Sequence, residues 1–390
     1  MTLQSQFQAR FGASPAFFVR SPGRVNLIGE HVDYNDGFVL PMAVPLQTEL
    51  AIRPRNDGKV VLYSPLFDDE REFSLDSLQK QDAWIDYAQG VASELQKDGV
   101  PLRGFEGVVT SNIPLASGLS SSASIEVAVA LTFLQLAGIE KSPTEVALLC
   151  QRAENIFIGV NCGIMDQMAV AACTQGNALL LDCRSLEMEQ VPLRLENHVF
   201  VVTDSAAPRE LASSAYNERR AQCEEGLAIL QRFEIPARSL RDITPLQLSA
   251  HSSDLPEVVL KRVRHVVEEI GRTRLAVSEL RHGDLVAFGQ RMNESHDSLR
   301  HLYEVSSPEL DFLTDFARSY EGVLGSRMTG AGFGGCTVTL IETARAEGFI
   351  AAQIAAYETA TRRQARGWVC GAAAGAQILM AYVGITKKVI

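Results

Sequence analysis

Arg24, Glu30, His31 and Asp33 lie within one short run, Ser21-Pro-Gly-Arg-Val-Asn-Leu-Ile-Gly-Glu-His-Val-Asp-Tyr-Asn-Asp-Gly37. Two carboxylates and an imidazole this close together have the equipment for a metal. With Arg24 and Asn26 beside them they equally suit a sugar, whose hydroxyls must each find a donor or an acceptor. A turn with solvated charges would use the same residues, because Gly and Asn are turn formers. A second group is Pro114-Leu-Ala-Ser-Gly-Leu-Ser-Ser-Ser-Ala-Ser124. Gly118 lets a ligand approach the backbone, and the serines add hydroxyls without bulk. The first N–H groups of a following helix, with its dipole, favour an anion there. No Lys follows, so this is not the Walker pattern. The loop reads either as a cradle for a nucleoside triphosphate or as a Ser-rich helix cap.

Asp166 stands in Cys162-Gly-Ile-Met-Asp-Gln167, after a helix break. It is either a first-turn anion or a base or electrostatic partner for a hydroxyl nucleophile. Glu154 is either exposed on its helix or holds Mg2+ with a serine of the loop. Magnesium takes one or two protein oxygens and completes its shell with water and phosphates. A last group, Gly330-Ala-Gly-Phe-Gly-Gly335, is a flexible-backbone loop or a tight hairpin. Burying any of these clusters without partners is costly, so their coexistence points to one shared ligand site.

The elements that must position them are mixed. A short helix over Gln4–Phe11 precedes a strand over Ala16–Ser21. Thr48–Arg53 and Lys59–Ser64 alternate as strands around a turn at 55–58. Trp84–Leu95 has an apolar helical face. Gly104–Asn112 is the strand that feeds the serine loop, and Ala123–Leu136, apolar nearly all round, is a buried helix. Ser142-Pro-Thr-Glu145 starts a helix running toward Ile158. Val160–Gly163 breaks it, and Ile164–Cys173 is helical again. Asn177–Asp182 and His198–Thr203 read as strands. Helices follow over Ser213–Phe233, Leu255–Leu285, Leu285–Leu299 and Ser307–Ser319, with a loop over Glu234–Thr244. The glycine-rich run from Gly325 to Cys336 leads to a strand over Thr337–Glu342 and a helix over Thr343–Thr361. Val369–Ile385 reads as buried strand and turn. A boundary near 185–200 divides the chain into residues 1–195 and 196–390.

A chain of 390 residues has room for about two domains. A net charge of −11 argues against a general nucleic-acid binder. It does not argue against ATP, since backbone dipoles and one or two cations hold phosphates on an acidic protein. Seven scattered cysteines with no CxxC pair fit reduced thiols in the cytoplasm, not a disulfide frame or a zinc site. No signal-peptide core opens the chain, and glycines interrupt the apolar stretch near its end, so no membrane span is expected.

Together these clusters resemble the galactokinase branch of the GHMP small-molecule kinases over most of the chain. The run from Gly23 to Gly37 is similar to the branch's signature, with Val32 where Thr is usual. Pro114–Ser124 resembles the family's phosphate loop, and 330–335 its third motif. The resemblance implies an α+β, two-lobed GHMP kinase fold, with an N-terminal lobe like ribosomal S5 domain 2, a C-terminal GHMP kinase lobe, and the site in the cleft between. It implies ATP-dependent phosphorylation of the 1-hydroxyl of galactose. Arg24 and Asp166 would be the catalytic pair. Glu30, His31, Asp33, Gly163, Asp166 and Tyr216 would line the sugar site, with Tyr216 carried over from the looser match Leu211-Ala-Ser-Ser-Ala-Tyr. Ser117, Gly118, Leu119, Ser120, Ser121 and Ser122 would wrap the phosphates of ATP, and Ser122 and Glu154 would hold Mg2+. Trp84 resembles the adenine-side aromatic, although Asp86 replaces the usual Asn; the alternative is a core aromatic. A kinase for N-acetylgalactosamine or arabinose, or a non-catalytic sugar sensor on the same scaffold, are the rival readings. The partners implied are galactose and ATP, bound by a monomer or dimer, with no nucleic acid or membrane.

Overall fold

A computed structural model describes residues 2–115, 117–208 and 212–380. Its elements, in order, are α1 (Leu3–Phe11), β1 (Phe17–Asn26), β2 (Phe38–Val39), β3 (Pro41–Pro54), β4 (Lys59–Ser64), β5 (Asp69–Ser74), α2 (Asp86–Lys97), β6 (Phe105–Ser111), α3 (Ser121–Ala137), α4 (Pro143–Arg152), α5 (Met165–Ala172), β7 (Asn177–Asp182), β8 (Met188–Pro192) and β9 (His198–Asp204). There follow α6 (Ala212–Gln231), α7 (Pro245–Ala250), α8 (Glu257–His282), α9 (Leu285–Ser298), α10 (Pro308–Ser319), β10 (Val323–Thr329), β11 (Cys336–Glu342), α11 (Ala346–Thr361), β12 (Arg366–Cys370) and β13 (Gln377–Met380).

Three sheets organise them. The largest runs β13-β1-β3-β6-β4-β5, antiparallel except where β4 pairs with β6. A second runs β10-β11-β9-β12, and a third joins β2, β7 and β8. The apolar helix α3 packs on β1 and β3. Val127, Ala130 and Phe133 from α3 join Val19, Leu50 and Phe105 from the sheet in one core. A second core joins α5 and β7 to α6 and α8. Because β13 lies beside β1, the chain returns to its first sheet after building the second. Among the described residues no helix is long and apolar enough to cross a membrane.

Two differences from the expected elements bear on the site. The polar run is strand as far as Asn26, because β1 pairs with β3 along its whole length. A bulge between Pro22 and Gly23 bends it just before Arg24, and bulges re-aim side chains in this way. The glycine-rich run is likewise strand up to Thr329 in β10, leaving only residues 330–335 as a loop. Both were disguised by small and polar residues that contribute ladder hydrogen bonds, not apolar alternation.

Elsewhere the charged edge strand β5, the exposed β8 and the short α7 carried too weak a period to stand out. In the described part of the late apolar run, residues 369–380, the last strand is not buried. β13 is a half-exposed edge strand, and residues 381–390 lie outside the described residues, as does Leu211 of the Tyr216 match. The Ser142 start signal is a full capping box with Glu145. The helix it opens widens at Ala153–Ile158 into a π-turn, a feature frequent at functional sites.

Candidate active site

The three polar loops meet. Arg24, at the end of the bulge, is 4% exposed and donates from Nε and Nη2 to both oxygens of Asp166, at 2.6–2.9 Å. Its Nη1 donates to the Gly118 carbonyl at 2.6 Å. Ser120 donates from Oγ to Asp166 Oδ2 at 2.5 Å. The sugar run, the serine loop and the start of α5 are therefore tied through one carboxylate. The glycine loop closes the ring: Gly330 stacks on Gly118, where a Cβ would come within 3.0 Å of the carbonyl oxygen. Gly330 has φ +83°, which a side chain would also disfavour.

The serine loop docks on β1 through backbone. The Arg24 amide donates to the Leu119 carbonyl at 3.2 Å, and a Cβ on Gly23 would meet that same oxygen at 2.7 Å. Ser120 takes a left-handed conformation, φ +60°, and this turns the chain into α3. Strain of this kind at a non-Gly residue is typical of a ligand clamp. The loop plus helix start leaves backbone N–H groups facing the cleft.

The cleft holds about 680 Å³. Its walls include Arg24, Glu30, His31, Asp33, Asp166 and Tyr216 at one end. Gly118, Ser120, Ser121, Ser122 and Glu154 lie along it, with Trp84 and Gly163. Ser117 and Leu119 are turned away. Ser117 Oγ donates to the Pro114 carbonyl at 2.7 Å, and the Leu119 side chain is buried in a core with Val25 and Ile113. These two residues offer the cleft only backbone, because the loop needs internal anchors to hold its turn.

Around Asp166 the sugar-run residues are held in different ways. Glu30 gives one carboxylate oxygen to Arg327 at 3.0 Å. Burial pushes its carboxyl up, against the pull of Arg327 and Arg24. His31, with φ +60°, uses both ring nitrogens: Nε2 donates to the Ala331 carbonyl at 3.2 Å, and Nδ1 accepts from Tyr34 at 2.8 Å. Burial holds the imidazole neutral, down to about 3, with His265 adding to the effect. The metal reading of this run does not hold, since Glu30 is an ion-pair partner and His31 has no free nitrogen. No cluster of three or more metal-ligating side chains occurs among the described residues. Asp33 is pushed up to about 6, by burial first and then by the charges of Asp166 and Glu30. Gly163 packs against it so closely that a Cβ would overlap the Asp33 carboxylate. The Tyr216 ring lies 5.6 Å from His31 and 5.5 Å from Tyr34.

Glu154 is not exposed on its helix. It is 7% exposed in the π-turn and accepts from Gln167 Nε2 at 2.6 Å. Its pKa is raised by burial and by Asp166, while a hydrogen bond from Ser122 offsets part of this. A carboxylate and a hydroxyl together at the mouth of a phosphate loop are hard oxygen donors of the kind Mg2+ takes. Trp84 is half-buried, packing on the edge of the first core while also lining the cleft. It precedes α2, stacks on Phe67 with centroids 6.4 Å apart, and donates Nε1 to Asp69 at 3.0 Å. Asp86 is buried and accepts from the amides of Gln81 and Ala83, which fixes the segment that carries Trp84.

Several residues of the site were not anticipated. Gln167 follows Asp166 directly and bridges Glu154 and the buried Glu126. Arg327 sits at the front of the glycine-rich run. His265 and Glu269 lie one helical turn apart on α8, a spacing no different from that of an ordinary charged face.

A fold with a serine loop opening a helix, facing a glycine loop across a cleft, defines the GHMP kinases. Residues 86–175 match the model of the GHMP kinases N terminal domain, and residues 276–358 that of the GHMP kinases C terminal. Residues 5–54 match the galactokinase galactose-binding signature. The chain is 47% identical to the galactokinase of Roseiflexus sp. over 96% of its length and 95% of that protein's. It is 46% identical to the galactokinase of Homo sapiens over 87% of each. Lactococcus lactis galactokinase, solved in complex with galactose, superposes with a TM-score of 0.93 at 38% identity, over 96% of this chain and 98% of that one. L. major mevalonate kinase, at 20% identity and a TM-score of 0.62, shares the fold. The chain belongs to the galactokinase family.

Proposed function

We propose that the enzyme transfers the γ-phosphoryl group of ATP to the anomeric 1-hydroxyl of D-galactose, giving galactose 1-phosphate and ADP. The observation that carries this reading is the junction at Asp166. One carboxylate touches the phosphate loop through Ser120 and the sugar run through Arg24. A hydroxyl placed against Asp166 is therefore also placed against whatever the loop holds. Phosphoryl transfer asks chiefly for such positioning and for neutralised charge.

In this reading Glu30, His31, Asp33, Gly163 and Tyr216 surround the sugar. Asp166 accepts the O1 proton as O1 attacks the γ-phosphorus, and the β–γ bridging oxygen leaves with ADP. Arg24 and the backbone amides of residues 117–122 take up charge on the transferring group. Trp84, with Phe67, stacks on the adenine. Ser122 and Glu154 would hold Mg2+, which would supply positive charge against the phosphates. Residues 1–195, with β13 packed back on β1, form one lobe beside the cleft, and the described remainder from residue 196 forms the other. The seven cysteines, scattered and with no CxxC pair, suit a cytoplasmic enzyme.

The experiment is ADP release with ATP and Mg2+, with galactose set against glucose, N-acetylgalactosamine and arabinose. Galactose-dependent turnover well above the others is expected. Preference for another of the sugars, or sugar binding without turnover, would overturn the reading.

A further inference from the structure

The segment 26–30 of the sugar run is gripped by residues from the other half of the chain that do not themselves reach the cleft. Arg327 of β10, fully buried, donates from Nη1 to the Asn26 carbonyl at 2.8 Å and from Nη2 to Glu30 Oε2 at 3.0 Å. Thr329 on the same strand accepts from the Asn26 amide at 2.9 Å. Glu269 of α8, also fully buried, accepts from the amides of Gly29 at 3.0 Å and Glu30 at 3.3 Å. Ser295 and Arg272 hold that carboxylate from behind. His265 donates to the Glu30 carbonyl at 3.1 Å. Glu30 thus has its amide, its carbonyl and one carboxylate oxygen fixed from the C-terminal half, while it remains part of the cleft wall.

We propose that Arg327 is a positioning residue for sugar recognition: it aims and charge-balances Glu30, with Glu269 anchoring the backbone beneath, and so sets the affinity for galactose without touching it. A buried carboxylate that loses its partner is left uncompensated. The planar guanidinium reaches a side chain and a carbonyl at once, which an ammonium does not reproduce. The proposal rests on the galactose reading above.

Arg327→Lys and Arg327→Met test it, with galactose affinity measured by calorimetry without nucleotide and KM measured for each substrate. A loosening of about 1 Å in a binding group costs up to about 100-fold. Arg327→Met is expected to weaken galactose by that order, and Arg327→Lys by about ten-fold, with KM for ATP within two-fold. If Arg327→Met does not fold, Glu30→Gln/Arg327→Met removes both charges, and Arg327→Lys still discriminates between the outcomes. Unchanged galactose affinity in Arg327→Lys, or equal losses for galactose and ATP, would overturn the proposal. Failure of the galactose reading itself would show in the parent enzyme, which would then release no ADP with galactose.

Discussion

At one end of the cleft Glu30 and His31 are 2% and 4% exposed, and the amide and carboxylate of Glu30 and Nε2 of His31 are held by residues about 240 to 300 positions away. At the other end Leu66, Phe67 and Leu115 are 53%, 46% and 54% exposed and offer apolar surface. The first end is preorganised polar chemistry and the second is a stacking platform. A site built from committed hydrogen bonds rejects a ligand that leaves any of them unpaired. A platform accepts any flat ring, because every base has a π-face. On the proposed reading, the contrast concentrates discrimination at the sugar end and leaves the nucleotide to be gripped by its phosphates.

The severest way to break this picture is at the join between the two ends. Asp166→Ala removes the acceptor for the sugar proton and the partner of both Arg24 and Ser120. Turnover should fall by about 1,000-fold or more, in the range of a lost general base. Nucleotide affinity by calorimetry should stay within a few-fold. Near-parental turnover would remove Asp166 from the chemistry, and equal loss of nucleotide binding would make it a mere strut between the loops.

Next in size is Gly163→Ala. The added methyl group overlaps the Asp33 carboxylate, so either the 160–163 turn or Asp33 must move. Misplacing a binding group at a preorganised site costs up to about 100-fold. We expect KM for galactose to rise by that order with KM for ATP unchanged. A proportional rise in both would show that the two ends are not independent.

The effects so far fall on residues whose types were visible in the sequence, and the reason is instructive. Carboxylates at 33 and 166 and serines at 120–122 stand out by their density among turn formers, yet each also reads as a turn, a first-turn anion or a helix cap, and the resemblance to the kinase motifs is what singles them out, with Gly163 among them. The helices fared similarly: α3 and α4 were legible from apolar content and a capping box. What was not legible is what holds the site. Arg327, Glu269 and His265 belong to regular elements, and nothing in a strand or a charged helix says which residues turn inward. The bulge at Pro22/Gly23 was hidden too, since it depends on pairing with β3. Chemistry leaves local marks in a sequence, whereas its supports are recorded only in long-range contacts.

A smaller effect is expected at the platform. Trp84→Ala removes one ring of the pair with Phe67, and base stacking is worth about 1–3 kcal/mol. KM for ATP should rise about 30-fold at the middle of that range, with KM for galactose unmoved. GTP should lose about as much as ATP, because stacking does not discriminate between bases. A loss of turnover at saturating ATP would mean that Trp84 orders the phosphates, and the contrast between the ends would then be too sharp.

The mildest test is pH, and it sharpens the comparison from the sugar end alone. Asp33 titrates at about 6 in the folded protein, against 3.8 for an unperturbed carboxyl. Between these values the folded state holds a proton that the unfolded chain does not. Lowering pH from 6 to 3.8 therefore favours the folded state through this group, while it turns an acceptor for sugar hydroxyls into a carboxylic acid. From pH 7 to 5.5 the ionised fraction of Asp33 falls about four-fold, so KM for galactose should rise about four-fold. The melting temperature should not drop on Asp33's account over the same interval. Asp33→Asn should bind galactose weakly at both pH values and abolish the change between them. A pH dependence of KM for galactose that persists in Asp33→Asn would assign the titration to another group, and would remove Asp33 as the pH-sensitive member of the sugar wall.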